Sequence, residues 1–163
     1  MKDSYLSREE LVKFIATLPT RRLAAGAVIR NEHGELLLVQ PNYKDGWILP
    51  GGTVEAGEAP KPGCFREVEE ELGLRLAPGR LLLVFHGLAR GVWGDSTYYM
   101  YDAGVIAKNT PVNLQTEELI TYEWVAPEQL QEYVNPGFAE RLHDCLRALR
   151  TGEVIEMSSD ERP

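Results

Sequence analysis

Positive charge is in deficit: 17 lysines and arginines stand against 25 aspartates and glutamates over 163 residues, a formal net charge of −8. A chain so balanced lacks the basic face that general nucleic-acid or anionic-membrane binding requires, so no nucleic-acid and no membrane partner is expected. A small phosphorylated ligand stays open, because a bound cation reverses the sign locally. Cysteine is scarce too. Cys64 and Cys145 lie far apart, forming neither a metal-spaced pair nor a disulfide framework, which points to a reducing compartment. No apolar run approaches a membrane span, and the opening MKDSYLSREELVKF has no apolar signal core. A cytoplasmic protein is the expectation. With no internal repeat and no long polar linker, residues 1–163 are expected to form one domain with a core of its own.

What is present alternates between helical and strand periods. Ser7 followed by Glu10 is a capping box, and Leu11, Phe14, Ile15 and Leu18 recur at helical spacing until Pro19. A helix over about residues 7–18 follows from that pattern. RLAAGAVIR and ELLLVQP read as a strand pair about the turn NEHG, and GWILPGG as a short strand with a rigid Pro–Gly–Gly exit. GRLLLVFHGLAR, STYYMYDAGVIA and LITYEWVA read as further strands, PEQLQEYV and GFAERLHDCLRALR as helices, and the polar tail, about residues 151–163, as a fraying end. One layered domain mixing α and β elements fits this order.

The segment GGTVEAGEAPKPGCFREVEEELGL, residues 51–74, carries the chemistry. Pro62 belongs in a first helical turn, so a helix starts near residues 59–61, and Gly73 ends it. Phe65, Val68 and Leu72 share the face that should pack on the sheet. Glu67, Glu70 and Glu71 fall at i, i+3 and i+4 and share another, while Glu69 points to solvent. Three convergent carboxylates form an oxygen set suited to a hard divalent cation such as Mg²⁺. Gly51, Gly52 and Gly57 allow a close backbone approach, with a glycine carbonyl as a further oxygen. Glu58 and Arg66 bracket the loop and are placed to pair and fix its shape. An acid run on a helix is ordinarily only a solvated face, but here the pattern extends well beyond the acids.

Gly52, five residues, Glu58, seven residues, Arg66–Glu67–Val68, one residue, Glu70–Glu71, one residue, Gly73–Leu74: in every specified position this stretch resembles the signature of the Nudix hydrolases. The resemblance implies an α+β fold, an α/β/α sandwich around a mixed sheet. It implies hydrolysis of a diphosphate linkage in a nucleoside diphosphate derivative or related organic diphosphate, by water attack at phosphorus, with Mg²⁺ or Mn²⁺ as cofactor. By position it makes Glu67, Glu70 and Glu71 metal ligands and the Gly52 carbonyl a further one, and gives Glu58 and Arg66 supporting roles. Glu70, Glu71 and a glutamate of the later loop LQTEELITYEW, Glu117 or Glu118, are the choices for general base, the spacing to Trp124 favouring Glu118. The insert APKPGCF departs from the alanines and charged helix formers usual there. The substrate partner is a small diphosphate, with a homodimer left open; a non-catalytic Nudix binding or regulatory module is the rival reading.

Trp47, Trp93, Phe85, Tyr98, Tyr99 and Tyr101 are the flat side chains available for stacking. Trp47, Trp93 and Tyr99 are taken as substrate-binding. Strand alternation puts Tyr98 and Tyr99 on opposite faces, so a given cleft takes one of them. Lys44, Arg22 and Arg90 are cations that could meet phosphate, and Cys64 is expected to pack rather than react.

Overall fold

The computed structural model describes residues 5–159. Its strands are β1 (Arg22–Arg30), β2 (Leu36–Pro41), β3 (Gly51–Thr53), β4 (Leu81–Gly87), β5 (Ser96–Val105), β6 (Leu119–Val125) and β7 (Ile155–Ser158), with helices α1 (Arg8–Ala16), α2 (Pro60–Leu72) and α3 (Pro136–Thr151). The strands join in one mixed sheet in the order β6-β2-β1-β5-β4-β7, with β3 added to β1. β1 runs parallel to β5, and β4 parallel to β7. Helix α2 covers one face, where Val68, Leu72 and Cys64 meet Ala27, Ile29, Leu37 and Val39. Helix α3 covers the other, where Leu142, Cys145 and Ala148 meet Val28, Leu38, Leu83 and Met100. β1 is therefore buried on both faces from Ala25 to Ile29, which is why RLAAGAVIR reads as an unbroken apolar run rather than an alternating one. The expected α+β sandwich around a mixed sheet is the observed architecture.

Three segments differ from the sequence reading. GWILPGG makes only an isolated bridge, Val39 to Ile48, before β3 begins at Gly51. Pro50 has no N–H to continue a ladder, though its carbonyl accepts a hydrogen bond from the Ala27 amide at 2.8 Å. PEQLQEYV winds only a 3-10 turn over Pro127–Glu132. The tail expected to fray does not do so over its middle: Ile155–Ser158 is strand β7, paired from Leu83↔Ile155 to His86↔Ser158. Glu156 reaches across to His86 at 3.3 Å. A four-residue edge strand alternating Ile155, Met157 with polar neighbours is too short for its period to stand out in a polar tail.

Helix α1 has the expected capping box, with Ser7 accepting from the Glu10 amide and Glu10 accepting from the Ser7 amide. None of its residues is buried, and Leu11, Phe14, Ile15 and Leu18 remain exposed. Among the described residues no helix is long and apolar enough to cross a membrane.

Candidate active site

Helix α2 begins at Pro60 with Ala59 as its N-cap and ends at Gly73, whose left-handed φ of 67° no β-carbon residue adopts cheaply. The insert APKPGCF fits this start. Pro60 occupies the first turn, where its missing N–H costs nothing. Gly63 leaves the room that Glu58 occupies, since a β-carbon there would meet Glu58 Oε1 at 2.5 Å. Glu58 in turn receives Arg66 in a bidentate pair, Nε to Oε2 at 2.7 Å and Nη2 to Oε1 at 3.0 Å. That pair holds the Glu58 carboxyl below its ordinary range and ties the glycine loop to the helix.

The acidic face is built around that arginine. Arg66 Nη1 lies 3.2 Å from Glu67 Oε1 and 3.0 Å from both oxygens of Glu70. Glu71 turns inward: it is 3% exposed, and its Oε2 accepts a hydrogen bond from the Gly51 amide at 3.0 Å. Burial pushes its carboxyl up to about 8, against that hydrogen bond, with the charges of Glu67, Glu118 and Glu70 pushing the same way. Glu67 is also raised, chiefly by burial. Glu69 instead faces outward and pairs with Arg75 at 2.6 Å. Gly52 lies against Glu67, whose Cδ would stand 3.0 Å from a β-carbon at that position. The acids are thus gathered about Arg66 and Gly51. Among the described residues, no three His, Cys, Asp or Glu side chains are drawn together as a ready cation cage.

Glu118 arrives from a distant loop. The amides of Asn113 and Gln115 donate to the last carbonyls of α2, Leu72 and Glu71, both at 2.9 Å, satisfying groups a helix end otherwise leaves unpaired. The next turn is tied down by Asn42, whose amide donates to the Glu118 carbonyl and whose Nδ2 donates to that of Glu117, both at 2.8 Å. The Glu118 charge then lies close enough to raise both Glu67 and Glu71. The same tie brings Tyr43 before Glu71, Glu118 and Glu67, whose charges, after burial, raise its hydroxyl. Sequence reasoning passes over Tyr43; its position in the turn PNYKDG, just before the glycine pair, is the available signal.

Gly51 and Gly52 form one wall of a cleft of about 680 Å³, with Tyr43, Lys44, Arg22, Trp93 and Tyr98 among its other linings. Arg22 lies 4.9 Å from the Trp93 ring, cation over aromatic. Trp47 lines a second cavity on the α3 side of the sheet. Tyr99 lies elsewhere: it stacks on Tyr101 at 6.5 Å and packs against the cluster beneath α2. The face open to the cleft belongs to Tyr98, as alternation along the strand allows, whereas Tyr99, the member of the pair taken as substrate-binding, does not line it. Cys64 is buried and its thiol pushed up to about 12 by burial, in keeping with packing rather than reaction.

The model of the NUDIX domain family matches residues 20–147. "Nudix hydrolase 5" of Arabidopsis thaliana is 33% identical over 90% of this chain, which spans 54% of that protein's length. "RNA pyrophosphohydrolase" of Hydrogenovibrio crunogenus is 26% identical over 77% of this chain and 86% of its own. Among solved structures, the MutT protein from Methanosarcina mazei superposes with a TM-score of 0.67 at 28% identity, covering 84% of this chain and 99% of that one.

Proposed function

The chain belongs to the NUDIX domain family, and we propose that it is a metal-dependent hydrolase that cleaves the diphosphate linkage of a nucleoside diphosphate derivative or related organic diphosphate. Action on pyrophosphate bonds accords with the pyrophosphohydrolase named among its relatives. The observation that carries the reading is the buried Glu71 carboxylate, hydrogen-bonded to Gly51 and crowded by Glu67, Glu70 and Glu118, at the glycine wall of an open cleft.

The residues fit a divalent cation. The donor set is entirely hard oxygen, as Mg²⁺ or Mn²⁺ prefers. Glu71 carries a desolvation cost that a cation would offset, and Gly52 exposes backbone beside Glu67 without a side chain to block it. Glu67, Glu70 and Glu71, with the Gly52 carbonyl, would hold the ion. When bound, it supplies neutralising charge on the diphosphate and lowers the pKa of water.

The protein's own groups do the rest. Arg66 and Glu58 fix the loop so that Gly51 and Gly52 present backbone to the phosphates. Lys44 and Arg22 line the same cleft and meet phosphate negative charge. Glu70, Glu71 and Glu118 are the carboxylates able to take the proton of the attacking water. Release of phosphorylated product from a panel of nucleoside triphosphates, nucleotide sugars and prenyl diphosphates, with and without Mg²⁺ or Mn²⁺, tests the reading. Ligand-induced stabilisation with no product from any of them would leave a binding module instead.

A further inference from the structure

Strand β2 ends on a proline. Pro41 has no N–H to carry the β2–β6 ladder onward. The register slips there: Gln40 faces Thr121 but Pro41 faces Leu119, which leaves Ile120 as an exposed bulge. Asn42 takes over at that point. Its backbone amide donates to the Glu118 carbonyl and its Nδ2 to the Glu117 carbonyl, both at 2.8 Å. We propose that Asn42 is a positioning residue for the hydrolysis: its side-chain amide holds the Glu117–Glu118 turn so that the Glu118 carboxylate faces Glu67 and Glu71 and acts on the attacking water. The inference rests on the proposed hydrolase reading and deepens it by naming what aims Glu118.

Glu118 is the carboxylate whose aim matters most, because its two rivals are already engaged. Both oxygens of Glu70 lie 3.0 Å from Arg66 Nη1. Glu71 is buried, with Oε2 on the Gly51 amide. Both also belong to the set that would hold the ion. Glu118 lies outside that set, on a loop, and its charge still reaches Glu67 and Glu71. A group on a loop depends on whatever fixes the loop, and a misplacement of about 1 Å is enough to cost rate.

The ties to α2 stop short of this residue, the second of them at the Gln115 amide. From there the amides of Glu118 and Leu119 both return to the Gln115 carbonyl, at 3.3 and 3.0 Å. Those bonds give the turn its shape but not its direction, which comes from Asn42. The Asn42 side chain is exposed, so its amide can be removed without opening the core. The backbone bond from Asn42 to Glu118 survives that removal and continues to hold the turn that carries Tyr43 and Lys44 into the cleft. Loss of the side-chain amide therefore acts on turnover more than on substrate binding.

The test measures steady-state rates with Mg²⁺ on nucleoside triphosphates, nucleoside diphosphate glucoses and geranyl diphosphate. The fastest-cleaved of these is then used for Asn42→Ala, Asn42→Asp, Glu118→Gln and the double variant Asn42→Ala with Glu118→Gln. Asn42→Ala should lower kcat by about 10-fold with KM within about 2-fold. Asn42→Asp keeps the shape without the donor and should not recover the rate. Glu118→Gln should lose about 100-fold. Adding Asn42→Ala to it should lose no more than about 2-fold further, since a residue that acts through Glu118 then has nothing to aim. Without metal, hydrogen exchange of the Leu119 amide should quicken by about 5-fold in Asn42→Ala while the amides of α2 keep their rates. Thermal melts within a few degrees of the parent certify that the variants fold. An unchanged kcat in Asn42→Ala, recovery in Asn42→Asp, losses that multiply in the double variant, or unchanged Leu119 exchange would each overturn the role of Asn42 while leaving hydrolysis standing. If the parent cleaves none of the probes, the hydrolase reading fails and the role of Asn42 fails with it.

Discussion

Glu71 Oε2 accepts a hydrogen bond from the Gly51 amide at 3.0 Å, joining the last turn of α2 to the glycine wall of the cleft. One carboxylate thereby belongs both to the packed interior and to the proposed reaction site.

Glu71→Gln keeps the shape of the side chain and removes its charge; Glu70→Gln does the same at a half-exposed position paired with Arg66. Each is expected to lower kcat/KM on the best substrate by about 100-fold or more, the scale of losing a group that acts on charge in the transition state. Thermal melts should show both variants folded. Full activity in both would remove the catalytic assignment.

The pH dependence has a definite sign. Burial raises Glu71 from 4.5 to about 8, so the folded protein keeps a proton that the unfolded chain has released. Stability from this group falls as pH rises: its penalty is absent below the lower value and complete above the upper one. Without metal, the melting temperature of the parent should therefore drop more steeply between about pH 5 and pH 8 than that of Glu71→Gln. Parallel curves would show that Glu71 titrates normally.

Gly51 sits at φ 145° with the Ala25 carbonyl where a β-carbon would go. Gly51→Ala must move backbone, not a side-chain tip. Urea unfolding should show a loss of about 2 kcal/mol or more. At Gly57, φ 79° with open space around it, the same change should cost about 1 kcal/mol. Equal costs at the two positions would contradict the close packing of Gly51 on β1.

The two ends of the chain should respond differently to truncation. Ending the chain at Gly152 removes β7 with the partly buried Ile155 and Met157, which pack on the α3-side cluster, and should cost about 2 kcal/mol in urea unfolding. Removing residues up to Thr17 takes away a helix with no buried residue and should change stability by about 0.5 kcal/mol or less. A large loss from the second truncation, with a shift in elution volume, would show that the exposed apolar side of α1 is covered by another copy.

Much of the site was legible because its determinants are local. The i, i+3, i+4 spacing of Glu67, Glu70 and Glu71, the eight-residue reach from Glu58 to Arg66, and the glycine stop at Gly73 are properties of one loop and one helix. The Glu58–Arg66 pair forms as that spacing suggested. Tyr43 and the choice of Tyr98 over Tyr99 were not legible, because strand alternation names two faces without saying which one a cleft opens on. β7 was missed for a related reason: four residues carry too little period, and their strand character comes from the edge of β4 beside them.

The sequence by itself determined the helix that carries the acids, its start, its end, and the order of carboxylates along it, since backbone geometry converts spacing into direction. Only the tertiary structure decided that Glu71 is buried and raised, that Glu118 comes to stand beside it, and that Tyr98 and Lys44 line the cleft. Desolvation and the meeting of distant loops depend on how the sheet is layered, and no local pattern carries that information.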